Sequence, residues 1–178
     1  MELLYDGFHR IEAVNATVNG QQKQYEKLHL KSAVAGMVVD DAGYMCLVRQ
    51  YRPSIGDYTL EVPAGVLDKP GLSKIETLFE ELEEECLIDK QDIIRYGEEP
   101  IQEYCMIIGS SDATCSIYYV EVKDQFQKEL ENFSDEVSSV HWYGSKELAR
   151  LLNEGAIKDP KTLIAVNYYL NDFLGHGI

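Results

Sequence analysis

The chain has 178 residues, and its 16 Lys and Arg residues against 31 Asp and Glu residues give a formal net charge of −15 at pH 7. Such an acidic chain lacks the clustered cations that bind nucleic acid or an anionic membrane surface, so we expect neither as a partner. Hydrophobic residues make up 45% and charged residues 26%, which is ordinary for one globular domain. No secretory signal pattern starts the sequence, and the four cysteines form no CxxC pair. We therefore expect a cytoplasmic protein with reduced, buried thiols.

The first part of the chain predicts a β-hairpin. Two strand-like segments, residues 9–18 and 24–30, flank Asn19-Gly20, a dipeptide that favours a two-residue hairpin turn. A hairpin alone is marginally stable, so this one must pack against something. We therefore divide the chain into an N-terminal hairpin, residues 1–31, and a main domain, residues 32–178.

The main domain alternates predicted strands and helices. Its strand-like segments are residues 33–39, 44–50, 58–62, 105–108, 115–122 and 137–143. A first helix follows Ser73, which has Glu76 three residues later as in a capping box. Further helices run from Ser145 to near Gly155 and onward from Pro160. Mixed strands and helices of this kind predict an α/β or α+β fold.

A run of acids ends the first helix: five of the six residues Glu80–Glu85 are glutamates. Like charges four residues apart oppose a helix by about 0.2–0.5 kcal/mol per pair, and a helix C-terminus favours cations instead. At about 100° per residue, Glu81, Glu84 and Glu85 lie beside the apolar stripe of the helix. Three carboxylates on one rim suit a hard cation such as Mg²⁺ or Mn²⁺, whose charge would relieve the repulsion. The alternative interpretation is a solvated acidic face.

The segment around this run resembles the Nudix box, G-x5-E-x7-R-E-U-x-E-E-x-G-U, where U is a bulky aliphatic residue. The matching residues are Gly65, Glu81, Leu82, Glu84, Glu85 and Ile88, with one extra residue in the loop at Pro70 or Gly71. Leu72 replaces the first acid of the box, Glu80 replaces its arginine, and Leu87 replaces its second glycine. The box is therefore degenerate.

The flanks of the box resemble the ADP-ribose pyrophosphatase branch of the Nudix hydrolases. The similar segments are residues 47–53, 60–65, 109–112 and 154–162, so the resemblance spans nearly the whole chain. It implies a mixed β-sheet sandwich between helices, preceded by an N-terminal β-hairpin that dimerises. A homodimer is therefore expected.

The resemblance also implies metal ligands. In this branch, carboxylates of the box helix hold Mg²⁺ against the diphosphate of the substrate, and the matching residues are Glu81, Glu84 and Glu85. The backbone carbonyl of Ala64, in the sequence Pro-Ala-Gly, is implied as a further ligand. Glu84 is also counted among the catalytic residues.

Other residues are implied as the general base or as substrate contacts. Glu136 is similar in position to the glutamate that serves as general base, with Asp135 as its alternative and a plain loop acid as an equal interpretation. Arg52 and Arg49 are the candidate cations for substrate binding, although strand alternation would turn Arg49 outward. Glu61 matches an acid near the family's site, or is an alternating strand residue.

The implied function is Mg²⁺-dependent hydrolysis of a nucleoside diphosphate linked to another moiety, with ADP-ribose giving AMP and ribose 5-phosphate. The alternative is a weak or inactive Nudix-fold protein that binds a nucleotide. In the family, the box arginine anchors the catalytic loop by salt bridging. Because Leu72 and Glu80 remove both that arginine and an acid, we expect apolar contact of Leu72 to hold the loop instead.

Overall fold

The computed structural model describes residues 2–7, 9–124, 130–131 and 137–173. Its strands are β1 (Glu2–Asp6), β2 (Arg10–Val18), β3 (Gln21–His29), β4 (Ala33–Asp40), β5 (Met45–Arg52), β6 (Asp57–Glu61), β7 (Ala64–Val66), β8 (Ile93–Tyr96), β9 (Gln102–Cys105), β10 (Thr114–Val122), β11 (Leu130–Glu131) and β12 (Val137–Tyr143). Its helices are α1 (Lys74–Cys86), α2 (Ser145–Asn153) and α3 (Pro160–Tyr168), and a π-helical turn continues α3. Within these described ranges, no helix is long and apolar enough to span a membrane.

A mixed β-sheet forms the centre of the main domain, and the order of its described strands is β11-β12-β5-β4-β10-β8. β4 and β10 run parallel, whereas β5 is antiparallel to both β4 and β12. β6 pairs with β5, β7 with β4 and β9 with β10, each antiparallel. β7 contacts the second half of α1, where Glu85 accepts a hydrogen bond from Ala64 N and Glu81 packs over Gly65.

Both faces of the sheet are buried. On one face, Met37, Leu47 and Ile117 pack with Leu148 of α2 and Val166 of α3. On the other face, the residues that pack with α1 are Val34, Val38, Val48 and Val120. The central strands are apolar on both sides for this reason. The sheet therefore lies between helices, which confirms the predicted α+β fold.

The N-terminal strands β1, β2 and β3 form a separate antiparallel sheet. Its β2–β3 turn is Asn19-Gly20, and both residues have positive φ, 53° and 78°, as a hairpin turn of this length requires. The sheet contacts the main domain through a hydrogen bond from Leu28 N to Ser110 O at 2.8 Å. An ion pair joins Lys27 Nζ and Asp112 Oδ2 at 2.6 Å. The predicted hairpin is confirmed, and β1 adds a strand that the sequence did not indicate.

Helix α1 begins at the predicted capping box. Ser73 Oγ accepts a hydrogen bond from Glu76 N at 3.3 Å, and the Glu76 carboxylate accepts one from Ser73 N at 2.8 Å. The helix ends at Leu87, which has a left-handed backbone with φ 52° and donates its N–H to Glu83 O at 3.2 Å. Glycine usually occupies such a position, because a side chain there is strained.

The predicted strand over residues 105–108 is wrong. β9 ends at Cys105, and residues 106–110 form a turn in which Ser110 N donates to Ile107 O at 2.9 Å. The apolar run favoured a strand, but these local hydrogen bonds close a turn, and β10 pairs with the preceding polar residues instead. Cys105, the last residue of β9, is exposed, contrary to the expectation that all the thiols are buried.

Candidate functional site

A cleft of about 440 Å³ lies where β5, β7, α1 and the beginning of α3 meet. Four of the predicted site residues line it: Arg52, Ala64, Glu81 and Glu85. A fifth, Glu61, is buried behind Arg52 and bonded to it. The fold therefore gathers residues that lie far apart in the sequence around one opening.

Glu81 and Glu85 of α1 form what we call the carboxylate wall of the cleft. Glu85 is 8% exposed, and its carboxylate accepts a hydrogen bond from Ala64 N at 3.1 Å. Burial raises the pKa of Glu85 to about 7; the bond from Ala64 opposes this rise, and the charge of Glu81 adds to it. Glu81 packs so closely over Gly65 that a Cβ atom there would overlap its side chain.

Arg52 of β5 and Lys161 of α3, both bound to Glu61, form what we call the cation wall. Arg52 makes two hydrogen bonds to Glu61, Nε to Oε1 at 2.7 Å and Nη2 to Oε2 at 2.6 Å. Lys161 Nζ donates to Glu61 Oε2 at 2.5 Å, and Thr59 Oγ1 donates to Oε1 at 2.5 Å. Burial raises the pKa of Glu61, but these donors and the charge of Lys161 outweigh burial and lower the pKa to about 2. Glu61 therefore stays ionised at neutral pH.

Glu84 does not line the cleft. The Glu84 side chain is 65% exposed, and its Oε1 lies 3.6 Å from Lys69 Nζ. Glu136, the predicted general base, and its alternative Asp135 lie outside the described residues. Their roles in catalysis and metal binding stay predictions.

Arg49 faces away from the cleft. Its neighbours Gln50 and Arg52 line the cleft, whereas the Arg49 guanidinium lies over the Tyr58 ring, 3.6 Å from the ring centroid. Alternation along β5 accounts for this orientation, which is the outward alternative left open by the sequence. The structure therefore brings Arg52 to the cleft and leaves Arg49 exposed.

The loop between β7 and α1 carries a salt bridge to the helix. Leu72 is 36% exposed, so the expectation of an apolar anchor is wrong. Lys69 Nζ instead donates to Glu80 Oε2 at 2.7 Å, and it lies near Glu84. In this salt bridge the helix supplies the acid, Glu80, and the loop supplies the base, Lys69.

Several residues that line the cleft were not singled out from the sequence. They are Gln50, Tyr104, Cys115, Asp159 and Lys161. Asp159 is the N-cap of α3 and accepts a hydrogen bond from Thr162 N at 2.9 Å. The position of Lys161 two residues after an N-cap could have marked it in the sequence as a candidate site residue, because the helix dipole disfavours a cation there.

A divalent cation fits the carboxylate wall by the chemistry of its donors. Across the part of the chain that the structure describes, no three His, Cys, Asp or Glu side chains are grouped as a metal site. Mg²⁺, however, is commonly held by one or two carboxylates, with water and substrate phosphates as its other ligands. Glu81 and Glu85 supply two such carboxylates, and a cation between them would offset the burial and the charge of Glu81 that together raise the pKa of Glu85.

Comparison with known proteins adds a family match. The sequence model of the NUDIX domain matches residues 29–165. The chain is 26% identical to an ADP-ribose pyrophosphatase of Bacillus subtilis (strain 168) over 150 residues. This alignment covers 84% of the chain and 78% of that protein. The chain is also 26% identical to a methanol dehydrogenase activator of Bacillus methanolicus over 162 residues. That alignment covers 89% of the chain and 83% of the relative.

Proposed function

The chain belongs to the NUDIX domain family, and from this premise we propose that it is a Mg²⁺-dependent hydrolase of a nucleoside diphosphate linked to another moiety. We propose ADP-ribose as the substrate, with AMP and ribose 5-phosphate as products. The observation that carries the proposal is a single cleft that holds two carboxylates, Glu81 and Glu85, and two fixed cations, Arg52 and Lys161. The similarity to a protein named ADP-ribose pyrophosphatase supports the choice of substrate.

The proposed chemistry starts from a problem of charge, because a diphosphate is anionic and the chain has a net charge of −15. Bound Mg²⁺, or Mn²⁺ in its place, would screen the repulsion, polarise the phosphoryl oxygens and acidify the attacking water. Glu81 and Glu85 would hold the ion, and Glu84 and the Ala64 carbonyl are the further proposed ligands. Arg52 would donate to a phosphate oxygen through Nη1, since Glu61 takes Nε and Nη2.

Glu136 is the proposed general base, and it would take a proton from the attacking water. The next residue, Val137, pairs with Gln50, which lines the cleft, and this supports a base from that part of the sequence. Asp135 stays the alternative. Glu84 is the other carboxylate that we propose for catalysis.

The rest of the nucleotide would extend into an adjoining cavity. This cavity measures about 530 Å³ and shares Val66, Asp68 and Met106 with the cleft. Arg10 and His29 of the N-terminal sheet also line it. Its position supports a substrate with a moiety on each side of the diphosphate.

Hydrolysis of ADP-ribose by the purified full chain tests the proposal. AMP and ribose 5-phosphate are measured by chromatography, with related sugar nucleotides and NADH as further substrates and Mn²⁺ as the second metal. We expect turnover of ADP-ribose that EDTA stops and added Mg²⁺ restores. A folded protein that cleaves none of these substrates with either metal would overturn the hydrolase proposal.

A second candidate is a Nudix-fold protein that binds a nucleotide with little or no turnover. The observation that favours it is the position of Glu84, which is 65% exposed and lies 3.6 Å from Lys69 Nζ, outside the cleft. Thermal unfolding in the presence of ADP-ribose separates the two candidates, because a ligand that binds only the folded state stabilises it. Stabilisation without product formation would favour the second candidate.

We also propose a homodimer that involves the N-terminal sheet. Leu3, Leu4 and Tyr5 of β1 are each about half exposed, and Tyr25 of β3 is 44% exposed. Exposed apolar side chains on one small sheet support an interface there. Light scattering after size-exclusion chromatography measures the mass, and a monomer at micromolar concentration would contradict the proposal.

A cytoplasmic location is a further proposal. The four cysteines are all free thiols in the structure, as expected where disulfides are kept reduced. Fractionation of the source cells, followed by detection of the chain in each fraction, tests the location.

A further inference from the structure

Lys161 occupies an unusual position for a lysine. It is the second residue of α3, where the helix dipole is unfavourable to a cation. Its side chain is only 12% exposed, although lysine is rarely buried unless it is paired. An ammonium group that is largely removed from water at this point needs negatively charged partners in the cleft.

The partners of Lys161 use part of its hydrogen-bonding capacity. Nζ donates to Glu61 Oε2 at 2.5 Å and forms an ion pair with Asp159 Oδ1 at 3.0 Å, and these are its partners among the described residues. An ammonium group carries three N–H donors. One donor therefore remains for a ligand in the cleft that Lys161 lines.

Neither carboxylate needs Lys161 in order to be satisfied. Glu61 already accepts two hydrogen bonds from Arg52 and one from Thr59. Asp159 already accepts the N–H of Thr162 at 2.9 Å and its hydroxyl at 2.6 Å. Both carboxylates therefore have hydrogen-bond donors other than Lys161, although its charge also helps to keep Glu61 ionised.

The surroundings of Lys161 hold it in a fixed position. Thr162, the next residue, accepts a hydrogen bond at its Oγ1 from Val62 N at 2.8 Å, and Thr162 is fully buried. This bond joins the beginning of α3 to the segment between β6 and β7. An ammonium group held in this way can bind an anion without losing much conformational entropy.

We propose that Lys161 is a substrate-binding residue that donates to one phosphate of the diphosphate, beside Arg52, on the wall of the cleft opposite Glu81 and Glu85, which would hold a metal ion for the other phosphate. This inference rests on the proposed function and deepens it. The class of substrate that it selects is a molecule with two linked phosphates, one for each wall of the cleft. Lys161 is thus a specificity residue, not only a partner of Glu61.

Binding of a non-hydrolysable substrate tests the inference directly. The probe is the α,β-methylene analogue of ADP-ribose, and calorimetry gives its Kd with Mg²⁺ and with EDTA. A lost charge-assisted hydrogen bond predicts that Lys161→Met weakens binding by about 10-fold or more in both buffers. Lys161→Arg, which keeps the charge, should bind within a few-fold of wild type.

Lys158→Met is the matched control, because Lys158 lies three residues earlier, is 58% exposed and pairs with Asp57 at 3.3 Å. It should leave the Kd unchanged. Thermal unfolding separates binding from folding: a structural role would lower the unfolding temperature of Lys161→Met and leave its Kd intact. If Lys161→Met does not fold, Lys161→Gln supplies the same comparison.

The outcomes separate this inference from the proposed function. An active wild type together with an unchanged Kd in Lys161→Met overturns the inference alone. A wild type that binds the analogue through Lys161 but cleaves no diphosphate supports the inference and overturns the hydrolase. A wild type that neither binds nor cleaves overturns both.

Discussion

The two walls of the cleft treat buried charge in opposite ways. In the cation wall, Glu61 is bound by Arg52 and Lys161, and its pKa falls to about 2. In the carboxylate wall, Glu85 accepts a hydrogen bond from Ala64 but is buried beside another acid, and its pKa rises to about 7. The buried acid of the cation wall is therefore already compensated by its partners, whereas the carboxylate wall gains stability when a positive charge enters. The difference teaches that α1 carries its buried acid at some cost to the fold, as we expect of the proposed metal site.

The largest effect is expected from Glu85→Gln, which removes a charge of the carboxylate wall with little change in shape. A bound metal contributes several kcal/mol to such a reaction, so we expect kcat/KM with ADP-ribose and Mg²⁺ to fall by about 100-fold or more. Steady-state kinetics measures the loss. Glu83→Gln, on an exposed position of the same helix, is the control and should stay close to wild type. Equal activity of the two variants would contradict the role of the carboxylate wall.

Glu61→Gln tests the compensation of charge in the cation wall. It leaves Arg52 and Lys161 without their shared anion, and breaking a buried ion pair costs about 3 kcal/mol. Because the folded pKa of Glu61 is about 2 and the ordinary value is 4.5, its contribution is full above pH 4.5 and is lost as the pH falls towards 2. Urea unfolding at a series of pH values measures the difference from wild type.

Asp57→Asn, an exposed acid at the start of the same strand, is the control for Glu61→Gln. We expect it to change the free energy of unfolding at pH 7 far less than Glu61→Gln does. A Glu61→Gln variant as stable as wild type at pH 7 would show that the cation wall does not depend on its anion.

In EDTA, Glu85→Gln should stabilise the protein, which is the opposite of its effect on activity. Burial raises the folded pKa of Glu85 from 4.5 to about 7, so its ionisation costs stability as the pH rises from 4.5 and the full cost is present above pH 7. At pH 8 we expect a gain on the order of 1–3 kcal/mol, and near pH 4 none. Urea unfolding at the two pH values measures this, and a destabilised variant at pH 8 would refute it.

Gly65→Ala tests whether the position of the Glu81 carboxylate over Gly65 matters for metal binding. The added Cβ would overlap Glu81 and push its carboxylate aside, so we expect Mn²⁺ affinity to fall by about 10-fold, since small displacements weaken an ordered site. Electron paramagnetic resonance of Mn²⁺ measures the Kd. Gly109→Ala is the control, because a Cβ at Gly109 meets open space. An unchanged Kd in Gly65→Ala would mean that Glu81 is not a ligand.

The carboxylate wall could be predicted from the sequence because its signals are local. The capping box at Ser73 and the helical spacing fix the orientation of α1, and both act within a few residues. Arg52 was predicted because it is one of the few arginines of an acidic chain and flanks the site, and strand alternation favoured it over Arg49. These parts of the site need no knowledge of distant contacts.

The rest of the site depends on contacts between distant residues. Lys161 and Glu61 are 100 positions apart, and only the folded chain brings them together. The anchor of the β7–α1 loop was mispredicted for a related reason, since the Lys69 pair with Glu80 spans a loop whose path the sequence does not determine. The prediction of a strand over residues 105–108 was wrong because hydrogen bonds within the turn at residues 106–110 outweighed the apolar pattern of the sequence.

The smallest effect is expected at Leu87, where the helix of the carboxylate wall ends. Its φ of 52° costs a non-glycine residue about 1–2 kcal/mol, and its side chain is 51% exposed, so little burial is lost on removal. Glycine would relieve this strain, but it also raises the conformational entropy of the unfolded chain, which offsets part of the gain. Leu87→Gly should therefore raise the free energy of unfolding by about 0.5–1 kcal/mol. Urea unfolding measures it, with Leu87→Ala as the control that keeps the strain. A loss of stability in Leu87→Gly would mean that the strain at the end of α1 is not a cost, which would weaken the contrast between the two walls.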